Sequence, residues 1–140
     1  MKMLFALVVA VFGFPGTAAS AAAMSSVSSL AFGSANVLFA ADWKAGRVYA
    51  YQLPSAVADT DQPSNLTNLG QPISRATGTE TFRIQNLAMR PGTAEAYISL
   101  QIGTDFVPAI VRVTPAGAVV KLDFAATPST STALENSAGT

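Results

Sequence analysis

A carboxylate beside an indole is the first feature of this sequence that could do chemistry: Asp42-Trp43 stands just before Gly46. Such a pair next to a turn can hold a sugar or a cation, and Tyr49, Tyr51 and Tyr97 could extend it into an aromatic binding surface. The same residues have a plainer use. Asp42 can accept turn hydrogen bonds while Trp43 covers the end of a sheet. Tyr49 and Tyr51, two positions apart, put both rings on one strand face, where packing is the commoner role.

Asp59 and Asp61, with Asn65 and Asn68 close behind, supply oxygen ligands of the kind calcium takes, but they lack the glycine and closing glutamate of an EF-hand loop. No cofactor is expected; calcium is the one ion this loop would suit. Asn65-Leu66-Thr67 matches the N-glycosylation acceptor pattern. Asp42, Glu80, Glu95 and Asp105 could serve as paired carboxylates for glycoside hydrolysis only if the fold brings two of them together, and their spacing does not say that it does. Arg83 and Arg90 flank a strand and could grip an anion, although a solvated sheet edge accounts for them as well.

Histidine and cysteine are both absent. That removes the usual base of a Ser-His-Asp arrangement, the commonest zinc ligand and any disulfide, so stability must come from packing or partners. There is no glycine-rich phosphate loop and no dinucleotide fingerprint. No catalytic residue is assigned, and a non-catalytic role is expected.

The N-terminus carries an address. Lys2 precedes the uncharged run Met3–Phe14, followed by Pro15-Gly16 and small residues, the order of a secretory signal peptide. The A-x-A matches place cleavage after Ala21 or Ala23. The apolar run falls short of the roughly 20 residues a membrane helix needs, so no stable span is expected after cleavage. The mature chain is therefore expected in the periplasm or outside the cell. Without Lys2, seven basic side chains face eight acidic ones with no run of like charge, which gives no footprint for nucleic acid.

The elements that must position these residues read as strands. Leu30–Phe32, Val37–Ala41 and Arg47–Leu53 form a first meander; Phe82–Ile84 leading to Leu87–Met89, then Ala96–Leu100, Ala109–Val113 and Ala118–Phe124, form a second. Residues 1–23 are then the signal, 24–124 a β domain with repeats at about 28–54 and 83–124, and 55–81 a long proline-punctuated loop with a helical turn near Ser55–Ala58. Residues 125–140, rich in Ala, Thr and Ser, read as a disordered tail. The two repeats match at Leu30-Ala31-Phe32 and Leu87-Ala88-Met89, 57 residues apart.

The phrase Leu30-Ala-Phe-Gly-Ser-Ala-Asn-Val-Leu-Phe-Ala-Ala-Asp42, followed by Gly46-Arg-Val-Tyr-Ala-Tyr51, resembles blades of secreted β-propellers of the YVTN, NHL and quinoprotein-like kinds. The resemblance implies an all-β fold, an antiparallel meander of blade-like sheets forming a partial β-propeller, with Asp42 near the central channel. A propeller closes with about four or more blades, and this chain supplies two. It would be a fragment, an assembling subunit, or a small β-sandwich that looks blade-like. The implied function is an exported module that binds a protein, a small molecule or a carbohydrate, or that self-associates. The alternatives are part of a lactonase-like or quinoprotein-like propeller enzyme, and a structural subunit joined through edge strands.

Overall fold

A computed structural model describes residues 24–55 and 68–135 of the chain. The expected signal segment, residues 1–23, lies outside them. Among the described residues the fold is all-β in its main elements, with two antiparallel four-stranded sheets and one helix.

Sheet A begins as a meander of β1 (Leu30–Ser34), β2 (Val37–Asp42) and β3 (Arg47–Gln52). Period-two patterning sets its faces: Leu38, Ala40, Tyr49 and Tyr51 point inward and are buried, whereas Phe39 and Gln52 are exposed. Gly33 sits at the irregularity between Phe32 and Ser34, beneath the Phe39 ring. Any side chain at position 33 would collide with that ring, so glycine is what lets it lie across β1.

The helix α1 (Gly70–Thr77) occupies a segment that composition reads as loop. Gly78 ends it in the left-handed conformation (φ 78°), its N–H donating to Ser74 O at 2.8 Å. Eight residues cannot sustain a helix alone, so packing must hold it. Ile73 supplies that packing: it is fully buried against sheet B.

Sheet B is an unbroken meander of β4 (Phe82–Met89), β5 (Ala96–Ile102), β6 (Val107–Val113) and β7 (Val119–Lys121). Its central strands are covered on both faces. Tyr97 and Ile110 join the inward residues of sheet A in one hydrophobic cluster, while Ile98, Leu100, Ile102, Ala109, Val111 and Val113 form a second cluster under Ile73. The fourth strand is shorter than Ala118–Phe124: one last bond runs from Leu122 N–H to Ile110 O (2.8 Å), and Leu122 and Phe124 pack on the cluster between the sheets.

The last strand returns to the first sheet. β8 (Ser129–Ala133) pairs antiparallel with β3, in register Tyr51↔Ser129 to Arg47↔Ala133. Ser131 Oγ accepts from Arg47 Nε (3.2 Å) and from a terminal guanidinium nitrogen (3.0 Å). A sequence of serine and threonine therefore forms ordered structure where a tail is expected. The ladder is made by backbone groups, which any non-proline residue carries, and β3 would otherwise present an open edge. Among the described residues the eight strands do not close into a ring.

If Ile73 is what pins α1, then Ile73→Ala should cost about 2–5 kcal/mol in urea unfolding of residues 24–140. A loss much smaller than that would mean that the helix contributes little to sheet B.

Candidate functional site

Asp42 closes β2 on the inward face and is fully buried. A buried carboxylate needs donors, and the chain brings them from two directions. Ser25 N–H donates at 2.7 Å and Ser26 Oγ at 2.7 Å; Ser25 Oγ lies 3.0 and 3.1 Å from the two carboxylate oxygens. Ala45 N–H adds 3.1 Å from the turn that follows, and Lys44 N–H donates to Ser26 Oγ at 3.2 Å. Burial alone would push this carboxyl's pKa up. The bonds from Ser25, Ser26 and Ala45 outweigh it and hold the carboxyl below its ordinary value.

This arrangement separates the residues that the sequence groups together. Trp43 points the other way, 65% exposed, with Lys44 Nζ 5.7 Å from its ring. Tyr49, Tyr51 and Tyr97 lie in the interior, so they do not extend an exposed surface from Trp43. Tyr49 and Tyr51 stack at 6.1 Å, Tyr51 on Phe124 at 5.6 Å, and Phe32 meets Tyr97 edge-on at 5.4 Å. Burial first, then the nearby Tyr49 and Asp42, pushes the Tyr51 pKa up. Its hydroxyl and Ser129 Oγ are buried without a hydrogen-bond partner among the described residues. Asp59, Asp61 and Asn65 lie outside the described residues.

A second polar centre is one that sequence reading misplaces at a solvated edge. Arg90, just past β4, is 4% exposed. Its Nε donates to Ala35 O at 2.6 Å, and its terminal nitrogens donate to Glu95 Oε1 (3.1 Å), Asn36 Oδ1 (3.0 Å) and Pro54 O. Glu95 also receives Arg112 at 2.7 Å. The anion Arg90 grips is thus the protein's own. Asp42 and Glu95 are each held in separate internal networks, and the described residues contain no group of three or more metal-ligating side chains.

Among the described residues, two surfaces stand open to a ligand. One is a groove of about 550 Å³ with Met24, Val107, Pro108, Leu122 and Phe124 in its walls and Lys121 and Asp123 contributing charge. The other is the free side of β4, where Ile84, Leu87 and Met89 are 55%, 53% and 52% exposed. These three share the face of sheet B that carries Ile98 and Leu100, since Ile84 pairs with Leu100 and Leu87 with Ile98. Among the described residues the helix contacts β6 and β7 on that side, while Ile84, Leu87 and Met89 of β4 stay exposed. Nearby, Phe106 takes a positive φ of 57° in the β5–β6 turn, with the Arg83 guanidinium 5.0 Å from its ring.

Comparison with protein-family models, curated proteins and solved structures finds no match to this chain.

The Asp42 cluster fixes residues 25 and 26 to the β2–β3 turn, and its depressed pKa gives a signed expectation. The carboxylate's contribution is complete above the unfolded value of about 3.9 and is lost as pH falls through the lower folded value. Asp42→Asn should cost about 1–3 kcal/mol at neutral pH. Its stability profile below about pH 4 should be flatter than the parent's, measured by denaturant unfolding across the acid range. Parallel profiles would show that the carboxylate charge does not hold this corner.

Proposed function

We propose that the chain is an exported, non-catalytic module of blade-like sheets that works by binding or assembly through the β4 side of sheet B. The observation that carries this reading is the row Ile84, Leu87 and Met89, each more than half exposed on an edge strand. Side chains of that size at one sheet edge are a recognisable interaction surface, because leaving them in water forfeits the gain from burial. Two of the four candidate carboxylates are engaged in internal networks: Asp42 holds the N-terminal residues and Glu95 holds two arginines.

Export rests on the order of Lys2, the apolar run Met3–Phe14 and the small residues to Ala23. Blade-like character rests on the phrase from Leu30 to Tyr51 and on the four-strand meander order of sheet B. The occupant of the edge is a protein surface rather than a charged polymer, since the only charged residue on β4 is Arg83.

Two measurements test the two halves of this reading. N-terminal sequencing of the exported chain should begin at Ala22 or Met24; a chain retained inside the cell with Met1 intact sinks the export half. At high dilution the folded chain, residues 24–140, should bind an apolar fluorescent dye. Threonine at Ile84, Leu87 and Met89 together should abolish that signal while circular dichroism and melting change little. Absence of dye binding by the parent, or unfolding of the variant, overturns the surface as a binding site.

A further inference from the structure

The row on β4 has a symmetry that its position at an edge makes usable. Reading Phe82 to Met89 from either end gives large apolar, other, large apolar, then two amides, then the same in reverse: Phe82, Arg83, Ile84, Gln85, Asn86, Leu87, Ala88, Met89. In a regular strand this pattern would split its apolar residues between two faces. The ladder with β5 shows why it does not. The register shifts between Ile84 and Asn86, leaving Gln85 as the extra residue of a bulge. Phe82, Ile84, Leu87 and Met89 then pair with Ile102, Leu100, Ile98 and Ala96, all of which belong to the helix-side cluster. The complementary set points toward sheet A: Ala88 packs on the inter-sheet cluster, and Gln85 Nε2 donates to Gln101 Oε1 at 3.4 Å.

We infer that β4 pairs antiparallel with β4 of a second copy of this chain, with Ile84 opposite Leu87 of the other copy and Gln85 opposite Asn86. This deepens the proposed binding role and rests on that reading by naming its partner. An isologous pair requires each position to oppose its own mate across a two-fold axis, and within a sheet that axis stands perpendicular to it. Opposed residues must then share a face, which the bulge provides about the Gln85–Asn86 midpoint. Phe82 meets Met89, Ile84 meets Leu87, and all four lie on the open half of the sheet face.

The electrostatics agree with self-pairing. Arg83 falls opposite Ala88 rather than opposite itself, so the strand's single charge meets no like charge. No proline interrupts the strand, and the outer side of β4 carries no ladder among the described residues. β1 contacts both β4 and β5 but forms no ladder with either, so it does not occupy the pairing positions of the β4 edge. Joining the two copies makes one eight-stranded sheet with a helix at each flank of a shared apolar strip.

The register gives a test that general stickiness would not pass. Residues 24–140 carry both sheets and both clusters, and circular dichroism checks the folding of each variant. Sedimentation across a dilution series should show the parent moving from monomer to dimer. Ile84→Lys and Leu87→Glu should each weaken the dimer by roughly tenfold or more. Mixed in equal amounts, the two should dimerise again, because one interface pair becomes Lys opposite Glu and the other stays Leu opposite Ile. A parent that remains monomeric up to about 1 mM overturns the inference. So do single variants that dimerise like the parent, or a mixture that gains nothing. A monomer that still binds the apolar dye would overturn self-pairing while leaving the binding surface intact; a monomer that binds no dye would overturn both.

Discussion

A buried guanidinium holds the two sheets in their relation. Arg90 leaves the end of β4 and reaches the β1–β2 turn at Ala35 and Asn36 and the end of the first meander at Pro54, with Glu95 neutralising it. Its donors satisfy carbonyls that the turn would otherwise leave bare, so one side chain closes the hydrogen bonding of three chain segments. Removing one partner from such a buried pair typically costs about 3–5 kcal/mol, because the other charge is stranded. The apolar cluster between the sheets supplies attraction without direction; Arg90 supplies the direction.

Asp42 does the corresponding work at another corner. It draws Ser25 and Ser26 onto the β2–β3 turn, and this seats Met24 and Val27 in the same inter-sheet cluster. The first described residues are therefore part of the core rather than a lead-in to it. A carboxylate at this position stores no reactivity for a ligand, since its accepting positions are filled by serines and a turn amide. The residue that looks most chemical in the sequence is structural because of what lies seventeen positions before it.

That distance explains much of what could be read in advance. Strands were legible where short runs of apolar, β-preferring residues are bounded by turn residues, as at Val37–Asp42, Arg47–Gln52 and Ala96–Ile102. The helix at Gly70–Thr77 was not, because a single buried Ile73 gives no periodicity and Pro72 reads as a breaker although proline is tolerated in a first helical turn. The strand at Ser129–Ala133 was not, because its order comes from a ladder with β3 and not from side chains worth burying. Arg90 beside Pro91-Gly92 reads as a solvated turn residue; only the approach of Ala35 and Pro54 makes it internal. The bulge had a local signature: the apolar phase set by Phe82 and Ile84 slips by one before Leu87 and Met89.

The same slip decides what kind of interaction a surface of balanced charge can make. With equal numbers of acidic and basic residues over the whole chain, long-range steering is weak and encounter depends on random collision. Selectivity must then arise at contact, where a backbone ladder alone would accept any register and the placement of side chains must choose one. On β4 the bulge gathers Phe82, Ile84, Leu87 and Met89 onto one face, so a shift of register would oppose apolar side chains with Gln85, Asn86 or Arg83. An irregularity that usually discourages edge pairing thereby becomes the feature that restricts it to one alignment.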